Sequence, residues 1–294
     1  MAGLTWDLIG MQAFTGVALG AVYVLLAIGL SLIFGMLTVV NFAHGAFFML
    51  GAYAGLFTLS LGGNFWICLV AVPLLVGGIG LVVERFLIRP LYGRGIDYPL
   101  LLTFGLSYIV VELVRIAYGK NGFPFDTPEL LQGAVNIGVG YFPLYRLFVI
   151  GATAVILAAL WVFLEKTSYG LIIRAGALDP QIVRVLGIDV GRVWLLVFGI
   201  GTAIAAFAGL LAAPLQGVSP EMGGTMLAEA FVVTVVGGMG SLLGAVIAGM
   251  LVGIVVSFTS LFAPEMAKVS IFALMAIVLL IRPQGFFGRA GLMS

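Results

Sequence analysis

The sequence predicts an all-α polytopic membrane protein, and three observations carry that expectation. Hydrophobic residues make up 63% of the 294 positions and charged residues only 9%, where an ordinary soluble domain is roughly a quarter charged. No soluble core of this size could hide so much apolar surface, so hydrocarbon must be the solvent. The apolar runs are long and continuous, whereas a membrane barrel would show short segments of alternating polarity. Finally, 42 glycines accompany these runs, and small residues four apart let membrane helices approach closely. The net charge of +1 gives no footing for nucleic acid. The single cysteine, Cys68, lies in an apolar run, so no disulfide framework is expected.

Residues 1–294 read as one transmembrane domain of eight or nine spans. The first basic residue is Arg85, so the charged n-region of a signal peptide is missing and the first apolar stretch reads as a retained span. That span covers about Gln12 to Phe34 and carries Gly16-x-x-x-Gly20. A break from Gly35 to Gly45 contains Asn41 and His44, and a second run follows from Ala46 to about Leu61 with Gly51-x-x-x-Gly55. Gly62, Gly63 and Asn64 make a turn into a third span, Phe65 to Val83, and Glu84 to Asp97 form the first charged loop. A fourth span runs from about Pro99 to Tyr118. In the loop from Gly119 to Pro143, the alternation AVNIGVGYFPL marks a small hairpin.

A fifth span, about Leu144 to Leu164, ends at a polar interruption from Glu165 to Val193. Within it, Asp179 is a good N-cap and Pro180 fits the first helical position. Ile182, Val183, Val185 and Leu186 supply apolar residues and Gly187 stops the helix. A capped helix of about two turns, flanked by Arg174, Arg184 and Arg192, follows. The sixth span covers about Trp194 to Ala213. Leu227 to Val236 is apolar but short against the roughly 20 residues a crossing helix needs. Gly237, Gly238, Met239, Gly240 and Ser241 interrupt it. Leu242 to Leu261 and about Val269 to Ile281 complete the set, with Gly240-x-x-x-Gly244 and Gly249-x-x-x-Gly253 in the first of them.

Basic residues set the orientation. Arg85, Arg89 and Arg94, then Lys166, Arg174, Arg184 and Arg192, then Arg282 and Arg289, place three segments in the cytoplasm. For the interruption and the tail to share a side, the short run at Leu227 must count as a crossing. That favours nine crossings with the N-terminus outside.

Broken membrane helices survive only against protein or a water-filled cavity. The two breaks here read as lining or gating a path, with Asn41, His44, Gly237, Gly238 and Gly240 as the pathway positions; the competing reading is that Asn41 and His44 only cap helix ends. A metal site is not expected at a lone histidine. Glu112 and Arg115, three apart, read as a structural ion pair. Glu229 reads as the start of the short segment, either favouring the positive helix end or marking an outer mouth. None of Lys120, Lys166 and Lys268 sits in a phosphate-binding loop. There is no buried carboxylate ladder and no catalytic constellation, so an intramembrane enzyme has no residues behind it.

GLSLIFGMLTVVNFAHGAFFMLGAY (Gly29 to Tyr53), TSYGLIIRAGALDPQIVRVLGIDV (Thr167 to Val190) and VVGGMGSLLGAVIAG (Val235 to Gly249) resemble hallmarks of the permease subunits of branched-chain amino-acid ABC importers. The likeness is to the shorter of the two permease types and runs from about residue 10 to the tail. It implies a subunit without catalytic, metal or cofactor residues in the bacterial inner membrane. It implies pairing with a second related permease, two cytoplasmic ATPases that bind the ATP, and a periplasmic solute-binding protein. Asp179 to Gly187 would then be the coupling helix in a groove of an ATPase, with Arg174 on its approach. The loop from Gly119 to Pro143, with Asp126 and Glu129, would face the binding protein or be a plain solvated loop. Solutes of such importers include branched-chain amino acids, urea, short amides and aromatic or other carboxylic acids. An autonomous secondary transporter or channel is the alternative reading.

Overall fold

The computed structural model describes residues 5–37, 39–138 and 140–288. The chain begins with a 32-residue helix, α1 (Trp6–Leu37). It is apolar all round, the pattern of a helix enclosed on every side, and every residue from Gly20 to Ile33 is buried. α2 (His44–Ser60) follows, then α3 (Phe65–Val83), which is capped by Asn64 and continues through a π turn (Glu84–Ile88) and a 3-10 turn (Arg89–Leu91). Next come α4 (Asp97–Tyr118) and a two-stranded antiparallel hairpin, β1 (Ala134–Asn136) with β2 (Tyr141–Pro143), where the alternation placed one. α5 (Leu144–Lys166), α6 (Ser168–Leu178), α7 (Pro180–Val185) and α8 (Val190–Gln216) follow. The last helices are α9 (Met222–Gly237), α10 (Leu242–Phe262) and α11 (Ala267–Ile281).

Small residues decide which helices form the centre. α1 and α10 cross where their glycine motifs meet each other: a β-carbon at Gly253 would stand 2.4 Å from the Gly16 carbonyl oxygen. At α2 and α8 the approach is closer still, with a β-carbon at Gly209 only 1.9 Å from the Phe48 carbonyl oxygen. No side chain fits at either contact. α1, α2, α8, α9 and α10 therefore make the packed interior. α3, α4, α5 and α11 surround it and keep Val70, Leu74, Leu101, Ile109, Val155 and Leu280 exposed, the surface a bilayer or a membrane partner covers.

Seven helices are long and apolar enough to cross a membrane, α3 counted through Leu91 and α11 together with the 3-10 turn Pro264–Met266 before it, which makes 18 residues. α2, with 17 residues, and α9, with 16, fall short of the roughly 20 needed. α9 is a further, shorter apolar helix of the same bundle. The basic segments gather at one end of the bundle: Arg89 donates to the Gly191 carbonyl, and Gly176 lies against Met36, Gly35 against Gly240, and Gly238 against Gly288. At the other end Phe123 pairs with Val218, and Arg115 with Glu221. α9 joins the two ends, from Glu221 beside Arg115 to Gly237 beside Gly244.

Two boundaries and one additional helix differ from the sequence expectation. The first break is narrower, since α1 runs to Leu37 and His44 already opens α2. α9 begins at Met222, five residues before the expected apolar run, because Gly223 packs directly on Gly45 and the glycines continue the helix instead of ending it. Between α5 and α7 stands a further helix, α6, where only the one short helix was expected. Thr167 caps it by accepting from Gly170 N–H, and it buries Gly170, Ile173 and Gly176 at a three-residue spacing.

Candidate functional site

The polar segment between α5 and α8 folds as expected around Asp179. Its carboxylate accepts from the backbone N–H of Gln181 at 2.8 Å and of Ile182 at 3.2 Å, and Pro180 opens α7. Gly187 takes a positive φ of 80°, which lets Ile188 N–H return to the Val183 carbonyl and close the helix. Only Val183 of the apolar set faces inward; Ile182, Val185 and Leu186 are exposed, Val185 at 87%. A six-residue helix thus presents a bare aliphatic knob at the basic end of the bundle. Arg174, on α6, is ion-paired with Glu165. Arg184 folds back, its guanidinium 5.6 Å from the centre of the Trp194 ring on α8.

The segment is wired to the first break. Gly176 of α6 lies on the Met36 side chain, at the end of α1. From there the chain re-enters the bundle. Phe42 N–H donates to Thr103 Oγ1 of α4 at 3.1 Å, and the Phe42 ring meets Phe104 edge-on. Asn41 Oδ1 accepts from Ala43 N–H at 3.1 Å, while its own carbonyl takes the His44 N–H at 3.1 Å. His44 Nε2 donates to the Leu26 carbonyl in the middle of α1, also at 3.1 Å. Both residues are fully buried, and Asn41 Nδ2 and His44 Nδ1 have no partner. One is a spare donor and the other a spare acceptor; Asn41 borders an apolar cavity of about 360 Å³ lined also by Val40, Phe42, Leu227, Phe231, Phe272 and Met275, and His44 is buried three residues on.

The second break has a different place. Gly238 and Gly240, with φ of 97° and 81°, make a tight turn at the basic end. The segment after α11 lies over it: Phe286 N–H donates to the Val236 carbonyl at 2.9 Å and Phe287 N–H to the Gly237 carbonyl at 3.0 Å. Gly237, Gly238 and Gly240, expected with Asn41 and His44 to line or gate a path, thus lie under the segment after α11. Those three stand at its edge, apart from Asn41 and His44. Gly238 and Gly240 permit the chain reversal through their positive φ, and Gly237 packs on Gly244.

Arg115 pairs with Glu112, as expected, and also with Glu221 at 2.8 Å. The second bond joins α4 to the start of α9 and was not legible from the sequence, because the partners lie 106 residues apart. Glu229 is not at the start of α9 but in its middle, buried beside Tyr23 of α1, with Oε2 unpartnered. Asp126, Glu129 and the turn at Asn64 border a shallow groove at the end opposite the basic one. Among the described residues no group of three or more His, Cys, Asp or Glu side chains is placed to hold a metal ion.

Residues 12–279 match the family described as the branched-chain amino acid transport system / permease component. The chain is 31% identical to the high-affinity branched-chain amino acid transport system permease protein LivH of Salmonella typhimurium, over 95% of each. It is 30% identical to the corresponding protein BraD of Pseudomonas aeruginosa, again over 95% of each. With LivM of Escherichia coli it shares 30% identity over 90% of this chain and 67% of that one. A solved structure of PsaBC from Streptococcus pneumoniae in complex with Fab matches 94% of this chain and 91% of that chain, at 16% identity and a TM-score of 0.49. The chain is a multi-pass membrane protein of the branched-chain amino-acid transport permease family.

Proposed function

We propose that this chain is the membrane-spanning subunit of an ATP-driven importer of branched-chain amino acids or a closely related small solute, acting in the bacterial inner membrane. Its partners in this reading are a second related permease, two cytoplasmic ATPases that bind the ATP, and a periplasmic solute-binding protein. The observation that carries it is the exposed aliphatic knob of Ile182, Val185 and Leu186 on a helix rigidly capped by Asp179 and Gly187. A bare apolar tip on a polar segment wants a partner groove, and the tip stands at the end that the positive-inside rule assigns to the cytoplasm.

The linkage from this tip inward supports a mechanism. Closure of the ATPase pair would displace α7, and α6 would carry that displacement through Gly176 to Met36 and so to the break at Asn41. There the spare amide of Asn41 offers a passing solute a donor beside an apolar wall, and the spare nitrogen of His44, three residues on, would supply an acceptor if the break opens. An aliphatic amino acid needs both kinds of surface. The groove bordered by Asp126 and Glu129 is the proposed face for the binding protein, where two carboxylates would favour a basic patch on that partner.

Replacing Ile182 and Val185 together with Asp tests the reading. The expected outcome is normal membrane insertion, loss of ATPase co-purification and loss of uptake. Proteoliposomes holding the unaltered chain alone should show no solute flux. Flux without partners would instead establish the autonomous-transporter alternative.

A further inference from the structure

We propose that Tyr92 and Trp194 form an aromatic joint through which the coupling segment drives α3 directly, together with α8. Covalently, α7 is continuous with α6 and α8 only. In space, Arg184 of α7 lies over the Trp194 ring, and that ring meets Tyr92 at 4.6 Å between centroids and 76° between planes. Tyr92 follows the extension of α3, and its hydroxyl donates to Glu84 Oε1 at 3.0 Å. Glu84 is fully buried and is also gripped by Arg89, through Nε at 3.3 Å and Nη2 at 3.0 Å. Arg89 Nη2 then donates to the Gly191 carbonyl at 2.6 Å. Gly191 and Trp194 both lie in the first turn of α8, so the contacts close into a ring: α8 to Tyr92, to Glu84, to Arg89, and back to α8.

The local backbone is built for this ring. Residues five apart in an ordinary helix of 3.6 residues per turn face about 140° away from each other. The π turn widens the helix, with Arg89 N–H returning to the Glu84 carbonyl, and brings the two side chains to one side. Burial, with the neighbouring Glu84 carboxylate, pushes the Tyr92 phenol well above its usual range, so the hydroxyl stays a donor. Parting Arg89 from Glu84 would leave a buried charge uncompensated, so this side of the ring holds together while it moves. A push on α7 therefore reaches the end of α3 through rings and charges.

The proposal rests on the docking of α7 upon an ATPase, and its test keeps the two apart. In the importer reconstituted with its ATPases and binding protein, solute transported is measured against ATP hydrolysed. Trp194→Ala should lower uptake about tenfold at undiminished hydrolysis and undiminished ATPase co-purification. Trp194→Phe, which restores a ring, should recover most of it. Tyr92→Phe keeps the ring contact and loses only the bond to Glu84; it should lower uptake by a smaller factor at normal membrane levels, and it decides the matter if Trp194→Ala does not accumulate. Trp194→Ala combined with Tyr92→Ala should be no worse than the more damaging single change. Losses that multiply, or full uptake in Trp194→Ala and Tyr92→Phe, overturn the joint. Failure of the unaltered chain to retain an ATPase overturns the docking on which it rests.

Discussion

Between α1 and α2 the chain turns inside the bundle, whereas between α9 and α10 it turns at the basic end. Both turns satisfy backbone groups. At the second, Gly238 N–H reaches the Val235 carbonyl, Ser241 N–H reaches the Gly238 carbonyl, and the segment after α11 takes the carbonyls of Val236 and Gly237. At the first, the Asn41 side chain stands in for a missing backbone partner by accepting from Ala43. The difference lies in what is left over. Glycines leave nothing, while Asn41 and His44 leave one donor and one acceptor unused in a buried place. An unused buried polar group is costly, and the turn that keeps two of them is the one for which a solute contact is proposed.

The largest expected effect breaks the architectural side of that contrast. Gly238 has a φ of 97°, and a β-carbon there would stand 2.2 Å from the Gly288 backbone nitrogen. Gly238→Val incurs about 1–3 kcal/mol of backbone strain in a positive-φ conformation that valine disfavours and about 1–3 kcal/mol of overpacking. It should displace the segment after α11 and sharply reduce the melting temperature of the purified subunit in detergent. An unchanged melting temperature would show that the turn is not held as the hydrogen bonds indicate.

A smaller effect on stability, with a larger one on transport, sharpens the other side. Asn41→Ala leaves the buried Ala43 N–H without its acceptor, a loss of about 1–3 kcal/mol. Asn41→Ser keeps an oxygen near that N–H but has no amide donor. If the spare donor serves the solute, both variants should lose uptake in the reconstituted importer, while Ser alone retains the melting temperature. Normal uptake by Asn41→Ser would reduce Asn41 to a helix-entry cap, the competing reading of the sequence.

Much of this was legible in the residues because it is local. Asp179, Pro180 and Gly187 specify α7 within nine positions, and the hairpin at β1 and β2 follows from alternation and two glycines. Gly16-x-x-x-Gly20 and Gly249-x-x-x-Gly253 announced close packing, yet nothing in either motif named the other as its partner. The Arg115–Glu221 bond and the Tyr92–Trp194 contact were hidden for the same reason: each joins segments about a hundred residues apart, and pairing at that range is a property of the fold. The different surroundings of the two breaks were not legible, because composition records the presence of glycine, asparagine and histidine but not whether the next segment covers them. α6 was missed since its buried face is made of Gly170 and Gly176, residues that weaken a helix on propensity alone.

The smallest expected effect compares the helix starts that follow the two turns. Ser241 caps α10 by accepting from Gly244 N–H at 3.1 Å, whereas α2 has Ala43 at its N-cap position and no side-chain cap. Ser241→Ala should therefore lower stability by about 1 kcal/mol, the usual worth of such a cap, and leave uptake unchanged once the protein is folded. Ala43→Ser gives the opposite check. Ala43 sits in a helical conformation (φ −75°, ψ −3°), and a serine there is not in the extended geometry from which a cap accepts, so no stabilisation is expected. A gain in melting temperature for Ala43→Ser would mean that the first turn can relax into an ordinary capped helix start. The unpaired groups of Asn41 and His44 would then be an accident of a strained loop, and their proposed role toward the solute would lose its physical basis.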